Sequence, residues 1–332
     1  MRSLLVSLAI LCLPAFTIAQ DGLHVKQGKT AIEIFAGAKL VTTFHHAGYA
    51  KPIFYPMNAP NGVPVTRAWP MEKGAKNETI DHVHQKSAWF THGDVIAEGM
   101  KATKPNKSVE GTDFWAELPP AGCGKIVCVD VSIKKQDKDH IVIVTKNEWI
   151  SSDGKKILDE TRTIHVHQLV GAWLIVCDSD LFASVTTIIF GDTKEGSFGV
   201  RVNDQIAGKK GKGKIENAEG KIGEKACWGH PSAWCDYSGP IDGKGAGIAV
   251  FADPKNPHPV CWHVREYGLM AANPFGREKS GFPSMKGRKD LVTMAKGSHL
   301  EYRFGILLHD GDASVGRVGA HFDRFVNLRE KK

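Results

Sequence analysis

The chain has 332 residues and a formal net charge of +7, from 43 lysines and arginines against 36 aspartates and glutamates. This length is ample to bury a hydrophobic core without help from disulfides. Much of the excess charge lies in residues 209–225, which contain no aromatic side chain to stack on bases, so we expect no nucleic-acid partner.

The first twenty residues predict a secretory signal peptide. Arg2 precedes an apolar run, Leu4–Phe16, which ends in the small and polar residues Thr17 and Ala19. The run is shorter than the ~20 residues of a membrane-spanning helix, and no later segment is apolar enough to span. We therefore expect a periplasmic or extracellular protein without a membrane span, although an uncleaved N-terminal anchor is the alternative. Residues 21–332 are predicted to form a single domain.

Six cysteines follow the signal peptide, at positions that match no zinc-binding pattern. An oxidising compartment allows disulfides without demanding them in a domain of this size. Pairs such as Cys123 with Cys128 or Cys227 with Cys235, and buried free thiols, are both compatible with the spacing.

Alternating apolar and polar residues predict strands along most of the remaining chain. In 125–134, Val127, Val129, Val131 and Ile133 alternate with polar residues, so we expect them on one buried face. No stretch keeps helical spacing for three turns, and strands that follow strands favour antiparallel pairing. The prediction is a mainly antiparallel all-β protein built as a β-sandwich. Further strands are predicted at 140–150, 160–168, 197–203, 247–253 and 299–309.

The segment 81–94, DHVHQKSAWFTHGD, is the first candidate site. If it is extended, His82 and His84 point to the same side, and His92 and Asp94 follow the aromatic Trp89. Histidine titrates near neutral pH and also ligates metals, so acid/base chemistry, sugar binding, a metal site and structural histidines all stay open.

The segment 261–276 is the second candidate site. In a strand, His263, Arg265 and Tyr267 share one face, about 7 Å apart, which a polar ligand can bridge. Asn273 begins the turn that follows. The alternative is a polar sheet face that contacts only water.

A Gly-bounded turn at 190–196 adds the carboxylates Asp192 and Glu195, and Arg201 lies on the strand face opposite Val200. A carboxylate here could act as the base that complements a histidine acid. A charged turn before a strand is the alternative. His165 and His167, which share a face of another predicted strand, are weaker candidates. The tryptophans near these segments are either sugar-stacking platforms or core residues.

Several blocks between about Tyr55 and Phe325 resemble the PmoA family of exported bacterial proteins, many of which carry the label "methane oxygenase PmoA": DHVHQKSAWFTHGDV, GTDFW, FGDTKEGSFGVRV, CWGHPSAWCDYSGP, WHVREYGLMAANPFG and YRFGILLHDG. The resemblance implies a supersandwich of the galactose mutarotase type, whose concave sheet commonly holds carbohydrate. Family members read Asp-His-Pro-His-His-Arg in the first block. Here Gln85 and Lys86 replace the third histidine and the arginine, and Lys86 keeps the charge without the planar guanidinium.

The leading hypothesis is a protein that acts on or binds a carbohydrate or other small polar substrate, by epimerase, lyase or hydrolase chemistry without a cofactor. His84 or His92 would be the general acid and Glu195 the base. One alternative is non-catalytic carbohydrate binding; another is a metal-dependent oxidase or hydrolase with His82, His84 and either His92 or His263 as ligands. The residues predicted to bind substrate are His82, Asp94, Trp89, Asp192, Arg201, His263, Arg265, Tyr267 and Asn273.

Overall fold

The computed structural model describes residues 22–74 and 78–329, so the predicted signal peptide lies outside the described residues. Strands make up nearly half of the described chain and far outnumber helices, as its β-branched alternation predicts. The strands are β1 (Leu23–Gln27), β2 (Ala31–Ala36), β3 (Lys39–His45), β4 (Ile53–Met57), β5 (Ala88–His92), β6 (Val95–Ala97), β7 (Lys125–Gln136), β8 (His140–Ile150), β9 (Lys156–Leu169), β10 (Ala172–Phe182), β11 (Ile188–Phe190), β12 (Gly196–Arg201), β13 (Lys214–Asn217), β14 (Trp234–Ile241), β15 (Lys244–Ala252), β16 (Cys261–Arg265), β17 (Leu269–Asn273), β18 (Val292–Met294) and β19 (His299–Asp310).

The helices are short. They are α1 (Glu224–Cys227), α2 (Val318–Asn327) and 3-10 turns at Asp204–Ile206 and Pro283–Met285. No helix within residues 22–74 and 78–329 has the length and apolar character that a membrane crossing requires.

Two eight-stranded sheets form the body of the fold. The first sheet has the order β1-β2-β3-β4-β5-β12-β17-β16 and the second has the order β13-β14-β15-β19-β10-β9-β8-β7. A small third sheet pairs β18, β11 and β6. Neighbouring strands of both large sheets run antiparallel.

The large sheets pack face to face around one hydrophobic core. Phe198 of the first sheet stacks on Phe304 of the second, with ring centroids 5.1 Å apart. On the other side of the second sheet, α2 packs Phe325 against Phe251 at 5.5 Å. The predicted mainly antiparallel β-sandwich is therefore confirmed.

One detail of the strand prediction is wrong, at the edge strand β7. Val127 and Val129 are 40% and 57% exposed, whereas Ile126 is buried. The register shifts between Cys128 and Asp130, where a bulge reverses the faces of the strand. Val131, beyond the bulge, packs against the core as predicted.

The six cysteines of the described chain are free thiols, and all except Cys128 are buried. Burial raises the pKa of the Cys177 thiol to about 12, so this group behaves as a small apolar side chain.

Candidate functional site

Strands β5, β12 and β17 of the first sheet are buried on both faces. One face contacts the core, and loops 78–87 and 110–117 cover the other face. Six of the predicted residues lie together at this outer face. Two come from loop 78–87, one from the turn before β12, and three from β16 and the residues after it. We call this group the candidate site; it comprises His82, His84, Glu195, His263, Arg265 and Tyr267.

Two tryptophans lie beneath the candidate site. Trp89 of β5 and Trp115 pack edge to face with centroids 5.0 Å apart, and both are 1% exposed. Gly199 of β12 permits this packing, since a Cβ there would lie 2.8 Å from the Trp89 ring and 3.0 Å from the Trp115 ring. Trp89 was predicted to bind substrate, but at this exposure its face is not open to a sugar.

Loop 78–87 is held by two arginines. Arg67 Nη1 and Arg201 Nη2 lie 2.6 Å and 2.9 Å from the same carboxylate oxygen of Asp81, and Arg201 Nη1 donates to Gln85 Oε1 at 2.7 Å. Desolvation alone would raise the pKa of Asp81, but Arg201 and Arg67 outweigh it and the pKa lies below its ordinary value. Arg201 is fully buried and positions the loop.

The loop is a turn, and the expectation of an extended segment at 81–84 is wrong. His82 has a left-handed φ of 46°, and the backbone N–H of Gln85 donates to its carbonyl at 2.8 Å. The rings of His82 and His84 still lie close together, with centroids 5.7 Å apart at an interplanar angle of 83°.

Tyr267 connects this loop to the end of β16. Its ring stacks on His82 with centroids 4.9 Å apart and nearly parallel planes, and the Arg201 guanidinium lies 4.7 Å from its centroid. Gln85 Nε2 donates to the Tyr267 hydroxyl at 3.4 Å. Gln85, which replaces the third histidine of the family motif, therefore bridges Arg201 and Tyr267 instead of facing solvent.

The predicted faces of β16 are confirmed, since Trp262 and Val264 enter the core and His263 and Arg265 point outward. Arg265 Nε lies 3.3 Å from His263 Nε2, and its Nη1 forms an ion pair with Glu224 at 2.8 Å. Arg265 is half-buried, so part of its guanidinium remains open to a ligand at the rim of the site.

The carboxylate and two of the histidines of the site differ in charge at neutral pH. Burial, and then the nearby Lys51, lower the pKa of His84 to about 3. Burial lowers the pKa of His263 to about 4, against the opposing effect of Glu195. Desolvation would raise the pKa of Glu195, but His263 and Lys194 outweigh it, so its pKa is lowered. At neutral pH the site therefore holds one carboxylate and two uncharged imidazoles.

A buried charge group adjoins His84 and was missed by sequence reasoning. Lys51 Nζ lies 3.0 Å from Glu117 Oε1 and donates to the Trp115 carbonyl at 3.0 Å, while Lys86 contacts the other oxygen of Glu117. Lys86, the second replaced motif position, is thus a buried ion-pair partner. A lysine two residues before the apolar strand β4 was the only signal for Lys51.

The buried polar atoms of the site that have no hydrogen-bond partner within the described chain include Trp89 Nε1, Trp115 Nε1 and Arg201 Nε. An unsatisfied buried donor costs about 1–3 kcal/mol. Their concentration beneath one polar group of side chains is what a site that admits water or a polar ligand would show.

The structure does not bring His92 to this site. The ring lies on the core face of β5, fully buried, with Phe275 at 4.8 Å and Nε2 2.8 Å from the Gly191 carbonyl. Burial lowers the pKa of His92 to about 4. Neither the acid role nor the metal-ligand role predicted for His92 is compatible with this position.

Three other predicted residues anchor loops. Asp94 accepts from the backbone N–H of Gly111 at 2.7 Å, and Asp192 accepts from that of Arg277 at 2.7 Å. Asn273 Nδ2 donates to the carbonyls of Thr193 at 2.9 Å and Lys194 at 3.2 Å. Asn273 therefore positions the turn that carries Glu195, whereas Asp94 and Asp192 lie apart from the candidate site.

The fold and the site define an antiparallel β-sandwich protein with a His, Glu and Arg cluster on the outer face of one sheet. Residues 31–323 match the profile of DUF6807, a family of unknown function, and the chain belongs to that family. The name PmoA, which the motif resemblance suggested, is not supported by this or any other comparison. No curated protein matches the sequence.

Solved structures with a similar fold include carbohydrate enzymes. Galactose 1-epimerase from Lactobacillus acidophilus NCFM is 7% identical with a TM-score of 0.41, over 88% of this chain and 99% of that one. A galactose mutarotase-like protein from Lactobacillus casei ATCC 334 is 10% identical with a TM-score of 0.36, over 87% and 100%. The GH36 alpha-galactosidase AgaB from Geobacillus stearothermophilus is 6% identical with a TM-score of 0.46, over 88% of this chain but only 42% of that one. Similarities at this level carry no argument about activity.

Proposed function

We propose that the candidate site binds a carbohydrate and transfers a proton between it and the pair Glu195 and His84. The observation that carries this proposal is the grouping of Glu195, His84 and His263 beside the half-buried Arg265 and the exposed His82 at one position of the sheet.

Sugar hydroxyls both donate and accept hydrogen bonds, so a sugar site needs both kinds of partner. The Glu195 carboxylate accepts, the Arg265 guanidinium donates, and a neutral imidazole does both through its two nitrogens. The stacked His82 and Tyr267 rings supply a planar surface at the mouth of the site, where His82 is exposed. This pair replaces the tryptophans as the stacking element.

The proton roles follow from the charge states. Ionised Glu195 is the base that accepts a proton from the substrate. His84, with a pKa of about 3, is uncharged at neutral pH. It would therefore polarise a substrate oxygen through a hydrogen bond from the N–H of the neutral ring, which is a weaker acid than an imidazolium.

Binding without turnover is the second candidate. The lowered pKa of Glu195 makes it a weak base, and general acid/base catalysis works best with pKa values near the operating pH. The ion pair of Glu195 with Lys194, at 3.0 Å, favours the carboxylate in the same way.

The test begins with ligand binding. A panel of neutral monosaccharides, oligosaccharides and uronates is screened by thermal shift, since a ligand at 100 times its Kd adds about 2.7 kcal/mol to the free energy of unfolding. A rise of the unfolding midpoint with one sugar class is expected. No rise with any member of the panel would refute the carbohydrate proposal.

Turnover is then followed by NMR in D2O with the sugar that binds. Glu195→Gln is expected to retain sugar binding and to lose turnover or deuterium exchange. His84→Asn is expected to slow turnover. Glu216→Gln is the matched control, because Glu216 pairs with Lys214 at 2.6 Å on the second sheet as Glu195 pairs with Lys194. Binding without any turnover in the unmodified protein would exclude proton transfer and leave the second candidate.

We also infer that the protein works outside the cytoplasm, on the basis of the N-terminal apolar run. N-terminal sequencing of the protein expressed in its own type of cell is expected to begin near Gln20 or Asp21. A chain that retains Met1 and stays in the cytoplasm would contradict export.

A further inference from the structure

A second histidine cluster lies on the outer face of the second sheet, far along the chain from the candidate site. The pairing of β8 with β9 places His140 opposite His167, and His165 two residues away on the same face. One ring nitrogen from each of the three lies within 4.8 Å of the other two. No other group of three histidine, cysteine or acidic side chains in the described chain meets this criterion.

The spacing suits a single small cation. Two nitrogen ligands of a tetrahedral zinc ion, each at about 2.0–2.1 Å, are about 3.3 Å apart. His140 Nε2 and His165 Nδ1 are 3.1 Å apart. The three rings are stacked nearly parallel, with His140 and His167 centroids 4.2 Å apart at 13°, so the rings must rotate about their side-chain bonds to direct their in-plane lone pairs at one ion.

A carboxylate contacts His165 on the side that faces away from His140. Asp178 Oδ2 lies 3.5 Å from His165 Nε2, the nitrogen that does not face His140. Asp178 is itself held by Arg303 Nη1 at 3.1 Å. A carboxylate on the outer nitrogen of a ligating histidine fixes the orientation of the ring and raises its basicity, and this arrangement recurs at protein metal sites.

The charges around the cluster do not exclude a cation. Arg303 is the cation paired with the supporting Asp178, and Asp253 offsets its charge as well, with Asp253 Oδ2 3.3 Å from Arg303 Nε.

We propose that His140, His165 and His167 bind one divalent transition-metal ion of the zinc class. Imidazole nitrogens suit zinc, copper and nickel better than calcium or magnesium, which prefer oxygen ligands. A cavity of 480 Å³, lined in part by His165, Asp178 and Tyr302, adjoins His165 on the side of Asp178. This site is independent of the proposed carbohydrate site on the other sheet.

The test uses the untagged protein, stripped with a chelator and dialysed. Titration with Zn²⁺ in a calorimeter is expected to give one ion per chain, and Co²⁺ is expected to give the intense visible absorption of a tetrahedral site. Both signals should be lost in His140→Ala and in His167→Ala. Asp178→Asn should weaken Zn²⁺ binding about 10-fold to 100-fold, as expected when the supporting carboxylate is removed.

His299→Ala is the matched control. His299 also contacts a carboxylate, Asp180 at 2.8 Å, and lies in the same sheet, but it does not belong to the cluster. It should bind Zn²⁺ as the unmodified protein does. Far-UV circular dichroism of the metal-free variants checks that each still folds, and His140→Gln replaces any variant that does not. Absence of stoichiometric Zn²⁺ binding, or equal binding in the folded His140 and His167 variants, would overturn the proposal.

Discussion

The replacement Glu117→Gln tests the buried charge group beside His84. The Glu117 carboxylate is the shared partner of Lys51 and Lys86, whose side chains are 1% and 9% exposed. Burial lowers the pKa of Lys51, and Glu117 opposes that effect. Glutamine keeps the shape of the side chain and removes the negative charge, which leaves two poorly solvated ammonium groups without a counter-charge.

Removal of one partner of a buried ion pair costs about 3–5 kcal/mol, because the remaining charge is neither paired nor solvated. Lys86 lies nearer the surface than Lys51 and can turn toward water, so we expect a loss near the lower limit, about 3 kcal/mol. The double variant Lys51→Met with Glu117→Gln removes one ammonium group together with the carboxylate, and should recover part of that loss.

Urea unfolding at neutral pH measures the effect. The control is Glu110→Gln, since Glu110 pairs with Lys104 at 2.7 Å in an exposed position, where an ion pair contributes about 0–1 kcal/mol. A loss for Glu117→Gln no larger than that of Glu110→Gln, or no recovery in the double variant, would refute the reasoning.

Three further predictions concern packing, pH and exposure. Gly199→Ala places a methyl group against Trp89 and Trp115 and should lower the free energy of unfolding by about 1–3 kcal/mol. Urea unfolding measures this loss, and an unchanged midpoint would contradict the close approach of the two rings to Gly199. The pKa of His263 is about 4 in the folded chain, against an ordinary value of 6.5, so between those pH values only the unfolded chain binds this proton. The contribution of the neutral ring to stability is therefore lost as pH falls, by about 3 kcal/mol. His263→Gln should therefore flatten the decrease in stability between pH 6.5 and 4, and an unaltered pH profile would show that the imidazole is already protonated in the folded state. Val129→Thr should change the free energy of unfolding by less than about 0.5 kcal/mol because the side chain is exposed, and a loss as large as that of a core variant would place Val129 in the core after all.

Local sequence pattern was sufficient for most strands. The alternation in 140–150 predicted a strand with the same bounds as β8, and the faces of β16 followed from simple alternation of Trp262 and Val264 with His263 and Arg265. Such patterns are reliable because side chains of a regular strand alternate between its two faces.

The same rule misplaced Val127 and Val129, because one bulge residue reverses the faces of β7. Helix α2 was also missed. Its ten residues give fewer than three turns of apolar spacing, and its Phe325 is buried only because the outer face of the second sheet offers Phe251 to pack against.

The sequence by itself determined the fold class and the residue types of the candidate site, since both follow from short-range patterns along the chain. Tertiary structure decided which of those residues meet. His92 and His84 are eight positions apart, yet the first lies in the core and the second at the outer face, because the turn at 82–85 and the left-handed Ser87 (φ 55°) interrupt strand alternation before β5 begins. Likewise, His140 joins His165 and His167 only through the register of β8 on β9. Strand pairing brings together residues that are distant along the chain, and no local pattern encodes that proximity.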